Sequence, residues 1–137
     1  MQTDRELEFK QAVQDAGERF VESARELLDQ LKIAQDDNDS DADDDARRHI
    51  DEYPLSVQTR SGWHNPGTID EPDAEFEILL GTGGPASRIV GTLSEYAEPD
   101  SARFEYQDWF QPWTEARLSE EQNATLLEFA CHFYFGG

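Results

Sequence analysis

Cys131 and His132 stand side by side, and a thiol beside an imidazole can act as nucleophile and base when the two side chains meet. As neighbours on a predicted helix they diverge by about 100°, so they do not form such a pair. His49 and His64 are scattered elsewhere, and with a single cysteine the chain has no zinc-binding spacing. It also lacks a Gly-x-Ser-x-Gly elbow and a His-Glu-x-x-His helix. Gly81-Thr-Gly-Gly84 has the composition of a phosphate-cradling loop, but Pro85 and a β-prone run follow where a helix must open, so a hairpin turn is predicted. The aspartates from Asp36 to Asp45 offer ligands for calcium. An EF-hand loop opening at Asp37 puts Ala42 at the glycine position and Arg48 at the bidentate glutamate, and one opening at Asp39 puts Asp44 and Ile50 there, so both registers fail. Trp63 and His64, in a loop of turn formers, read as a packed or hydrogen-bonded anchor. The expectation is a protein that is not an enzyme and takes no metal or cofactor.

What the chain has in quantity is carboxylate. Its 137 residues carry 31 acidic against 11 basic side chains, a net charge of −20. That balance disfavours direct binding to nucleic acid or to an anionic membrane, and it makes positively charged surfaces the natural partners. Residues 1–52 and 53–137 each sum to −10. Projected at about 100° per residue, Asp4, Glu8, Asp15, Glu18, Glu22, Glu26 and Asp29 fall in one arc roughly 80° wide. No Lys or Arg lies inside it, Arg19 and Arg25 flank it, and pairs of Asp15 with Arg19 and Arg25 with Asp29 are expected. From Asp15 to Glu26 the carboxylates come at steps of roughly 5 to 6 Å, approaching the spacing of phosphates along a nucleic-acid strand.

The elements that must position this row follow from periodicity. Thr3 and Glu6 form a capping box that opens a helix running to about Ile33. Its stripe of Phe9, Val13, Ala16, Phe20, Ala24, Leu27 and Leu31 must be covered by a sheet or by a second copy of the chain. Asp36, Asp37, Asp39, Asp41 and the aspartates up to Asp45 are predicted to be an acidic linker over 36–46, before a short helical turn at Ala46 to Ile50. Leu55, Val57 and Thr59 alternate on a first strand. Glu75 to Leu80, Arg88 to Leu93 and Arg103 to Trp109 read as a three-stranded antiparallel meander with Phe76, Ile78 and Leu80 on one face. Ser119 and Gln122 cap a last helix running to about Phe135, and Trp109, Trp113, Phe129, Phe133 and Phe135 are expected to form the core between it and the sheet. The fold class is α+β in one domain over 1–137. It comprises a long N-terminal helix over 1–35, a three- to four-stranded antiparallel sheet over 53–137, and a C-terminal helix packed on that sheet. No apolar run has the length of a membrane span, the N-terminus is charged rather than apolar, and a cytoplasmic protein is expected.

Several stretches carry a resemblance: Ser61-Gly-Trp-His-Asn-Pro-Gly67, Glu75-Phe-Glu-Ile-Leu-Leu-Gly-Thr-Gly-Gly84, Glu105-Tyr-Gln-Asp-Trp109 with Pro112-Trp-Thr114, and Phe133-Tyr-Phe-Gly136. Through them the region from about Arg60 to Gly137 resembles small phage- and prophage-encoded proteins, which implies a mobile-element origin and no assigned activity. In general profile the whole chain is similar to the anti-CRISPR and anti-restriction inhibitors, many of them small, acidic and enzyme-free. The resulting expectation is a nucleic-acid mimic that blocks the DNA-binding surface of a CRISPR effector subunit or restriction enzyme. Asp15, Glu18, Glu22, Glu26 and Asp29 would make the contact, and Asp36, Asp37, Asp39 and Asp41 would add attraction. Glu75, Glu77 and Glu105 would strengthen the mimic if they shared a surface with the helix. The alternative is a salt-adapted housekeeping or structural protein that forms a homodimer through its N-terminal helices. With only Lys10 and Lys32 among the basic residues, the composition also suits high salt.

Overall fold

A computed structural model describes residues 3–61, 66–67, 73–82, 84–109 and 111–135. The first helix, α1, spans Asp4–Asp36, and the predicted capping box closes its start. Thr3 Oγ1 accepts from Glu6 N at 3.1 Å, and Thr3 N donates to Glu6 Oε2 at 3.3 Å. α1 buries Val13, Gly17, Phe20, Val21, Ala24, Leu28, Leu31 and Ala34, while Phe9, Ala16 and Leu27 flank the core. The expected stripe is therefore covered by the chain's own elements.

The acidic linker is corrected by the structure. Residues Ser40–Glu52 form a second helix, α2, so Asp41, Asp43, Asp44 and Asp45 are helical. Aspartate is a weak helix former in mid-helix but favours the first turn, where its charge faces the positive end of the macrodipole. Asp39 caps that end by accepting from Ala42 N at 3.1 Å. Asn38, at φ 55°, adopts the left-handed conformation that ends α1. Asp39 N donates to Ala34 O at 2.9 Å and Asn38 N to Gln35 O at 3.1 Å, the two bonds of a Schellman turn. Three residues thus fold α2 back on α1, with Ala46 and Ile50 buried.

The sheet has five antiparallel strands in the order β1-β2-β3-β4-β5. They are β1 Ser56–Ser61, β2 Asp73–Gly81, β3 Ala86–Thr92, β4 Arg103–Gln107 and β5 Thr114–Glu115. One register row joins Val57, Ile78, Ile89 and Phe104 on the inner face. The next row joins Gln58, Glu77, Val90 and Arg103 on the outer face. α1 lies over the inner face at β4, where Phe20 stacks on Phe104 at 5.9 Å. Gly17 permits this approach, since a Cβ there would lie 2.7 Å from Ala116 Cβ.

The last helix, α3, spans Glu120–Ala130 and stops short of the predicted Phe135. Beyond it Phe135 packs on Phe76 at 4.9 Å and Phe133 on Phe129 at 5.4 Å. Ending the helix at Ala130 brings these rings onto the sheet and onto α3 itself. Of the expected aromatic core, Phe129 and Phe135 are buried and Phe133 is half-buried. Trp109 and Trp113 are not in it, because β4 ends at Gln107. Trp109 is 70% exposed, with its indole against Gly84, and Trp113 lies under the Arg88 guanidinium at 4.1 Å. Trp63, His64 and Gly83 lie outside the described residues.

Candidate acidic interface

The acidic row is positioned by burial on the opposite side of its helix. Because the buried residues of α1 centre on one side, Asp4, Glu8, Asp15, Glu18, Glu22, Glu26 and Asp29 are all exposed. The helix runs three residues past its predicted end, and at about 100° per residue Asp36 enters the same arc. Its 33 residues extend the row over about 50 Å. Ile33, 60% exposed, falls inside the arc as an apolar side chain among carboxylates. Asn38, a residue that tolerates the left-handed conformation, was the readable signal that α1 continued to Asp36.

Local hydrogen bonds hold part of this row. Asp15 accepts from Gln11 Nε2 at 2.8 Å, and no pair with Arg19 forms among the described residues. Arg19 instead lines a groove with Ala16, Pro85, Ser87 and Tyr106. Gln14 Nε2 donates to Glu18 Oε1 at 3.0 Å and also to Arg117 O at 2.7 Å, tying α1 to the segment before α3. The expected Arg25–Asp29 pair forms at 3.2 Å, and Arg25 also reaches Glu128 of α3 at 3.0 Å. The hydrogen bond that Arg25 donates to Glu128 is the main reason the Arg25 pKa is raised. Among the described residues, Glu22 and Glu26 make no side-chain hydrogen bond or ion pair, so the middle of the row is open to a cation.

The second group gathers where α1 turns into α2. Asp36 ends α1, Asp37 caps it, Asp39 caps α2, and Asp41 lies in the first turn of α2. The last turn of α1 contains no basic residue, so Asp36 adds to the negative end of its dipole. Further along, Arg47 pairs with Asp43 at 2.6 Å and Arg48 with Asp45 at 2.8 Å.

Glu75, Glu77 and Glu105 do not share a surface with this row. They project from the outer face of the sheet, while α1 packs on the inner face, and each is matched by an arginine. Arg60 meets Glu75 at 2.8 Å, Arg88 meets Glu77 and Glu105 at 2.7 Å each, and Arg103 meets Glu105 at 3.1 Å. Period-two alternation sent these carboxylates to the side opposite Phe76, Ile78 and Phe104, the side away from the helices.

Among the described residues no helix is long and apolar enough to cross a membrane, and no cluster of three or more His, Cys, Asp or Glu is arranged to hold a metal ion. Comparison with known protein families, with curated proteins and with solved structures finds no match.

Proposed function

We propose that the chain is a non-enzymatic, phage-type inhibitor that acts as an acidic nucleic-acid mimic. Its partner is a positively charged nucleic-acid-binding surface of a bacterial defence complex, a CRISPR effector subunit or a restriction enzyme. The observation that carries this reading is the exposed row on α1, which is uncovered by the sheet, α2 or α3 and is prolonged by Asp36 into the α2 turn. Glu22 and Glu26, which make no ion pair among the described residues, provide its centre, and the contact is electrostatic competition with DNA that weakens as salt rises.

The test is DNA binding by a panel of such effectors and restriction enzymes, measured with and without the protein at low and high salt. The wild-type chain should displace DNA from its target at low salt. The triple variant Glu18→Lys, Glu22→Lys, Glu26→Lys should lose that displacement while retaining its circular-dichroism spectrum. An unchanged effect of the triple variant would rule out this surface. Salt adaptation is favoured by one separate observation, the presence of only two lysines among the basic residues. On that reading, rising salt strengthens folding and no effector is inhibited. A helix-paired dimer on that reading would have to use a surface other than the apolar stripe, most of which packs within the chain.

A further inference from the structure

Tyr96 and Tyr134, far apart in the chain, line one cleft of about 480 Å³ together with Ala97, Glu98, Pro99, Cys131, Phe133 and Phe135. They are 77% and 82% exposed, the two most exposed large hydrophobic residues among those described. Both are held outward. Ser94 Oγ accepts from Tyr96 N at 3.2 Å and from Glu98 N at 3.4 Å, and Ser94 N donates to Glu98 O at 2.7 Å. This closes a tight turn in which Ala97 sits at φ 60°, a left-handed conformation that costs a non-glycine residue about 1 kcal/mol. On the other wall, Phe133 and Phe135 are anchored on Phe129 and Phe76, so Tyr134 between them points to solvent.

The cleft is also negative. It opens at the C-terminal end of α3, the negative end of the helix dipole, where Leu127 O, Phe129 O and Ala130 O accept from Cys131 N, His132 N and Phe133 N, and the last turn of α3 has no basic residue. Glu98 lines the wall. Burial raises the Cys131 pKa, and Glu98 and Glu128 push it in the same direction.

The geometry points to this cleft as a docking site for an arginine side chain of a partner protein. A guanidinium is planar, stacks on aromatic faces and is weakly hydrated, and here it meets tyrosine rings, a carboxylate and a helix C-terminus together. The site is independent of the acidic row on α1. Because the turn and the Phe133–Phe135 segment are already set, little ordering is lost on binding.

The experiment is an NMR titration of the full chain with three probes: the peptide acetyl-Gly-Arg-Gly-amide, the same peptide with neutral citrulline in place of arginine, and tetramethylammonium chloride. The arginine peptide should shift the ring protons of Tyr96 and Tyr134 and the amides of Glu98 and Cys131, and the citrulline peptide should not. Glu98→Gln should weaken that binding by about fivefold, and Tyr96→Ala with Tyr134→Ala should abolish the amide shifts while the rest of the spectrum remains folded. The Glu18, Glu22, Glu26 triple reversal should leave these shifts in place, so failure here and failure of the mimic are separable. Equal shifts from the citrulline peptide, shifts that survive loss of both tyrosines, or stronger binding of tetramethylammonium than of arginine would each overturn the assignment.

Discussion

Arg88 is the most heavily engaged cation of the described structure, held between Glu77 and Glu105 with Trp113 against its face. Its side chain is half-buried, whereas Arg60 is largely exposed. Exposed pairs contribute little, but removing Arg88 leaves two shielded carboxylates facing each other across β3. Arg88→Ala should lower unfolding stability by about 1 to 2 kcal/mol in urea titration, and Arg60→Ala should cost distinctly less. His132 gives a residue-scale prediction in pH. Burial lowers its pKa, with Arg47 acting in the same direction against Glu128 and Asp51. The unfolded chain therefore binds this proton more readily than the folded one, and stability falls as pH drops through the ordinary histidine range and below it. Chemical denaturation between pH 7.5 and 5.5 should show that slope, and His132→Asn should flatten it.

At the scale of elements, the αα-hairpin rests on a short sequence with opposing tendencies. Asp39→Ala removes the α2 cap and should cost about 1 kcal/mol, measured by thermal melting, with the loss of helicity confined to residues near the turn. Gly17→Val forces a side chain into the space held by Ala116 and Phe104 and should cost about 1 to 3 kcal/mol, read by urea denaturation. The α+β class, the capping boxes at Thr3 and Ser119, and the alternation of Phe76 and Ile78 were legible because each is a local rule expressed in adjacent residues. Of α2 only the turn at Ala46 to Ile50 was legible; its first half was not, because seven aspartates in ten residues look like a solvated run unless the benefit of an N-terminal position is counted. Gly17 was invisible for a different reason: its role depends on Ala116, about a hundred residues away. The row on α1 was readable from periodicity, but its continuation to Asp36 depended on where the helix stopped. The outward direction of Glu75 and Glu77 was also readable. Whether that side faced the helices or solvent was not, since alternation names two faces without saying which one the helices cover.

For the whole molecule, salt acts on two terms of opposite sign. Screening relieves the self-repulsion of a −20 chain, so the midpoint of thermal unfolding should rise between low and moderate ionic strength. The same screening should loosen any complex made through the α1 row, and calorimetry with light scattering can follow both in one buffer series. The outer sheet face has a consequence for encounter rather than for stability. There three arginines match Glu75, Glu77 and Glu105 and leave Glu115, opposite Glu105 in the register, without an arginine among the described residues, so these paired rows add little net charge, while α1 and α2 lie beyond the opposite face with an excess of carboxylate. Charge so divided gives the molecule a dipole moment directed across the sheet. In the field of a basic groove that dipole feels a torque, turning the helices forward before contact, so fewer collisions arrive with the sheet in front.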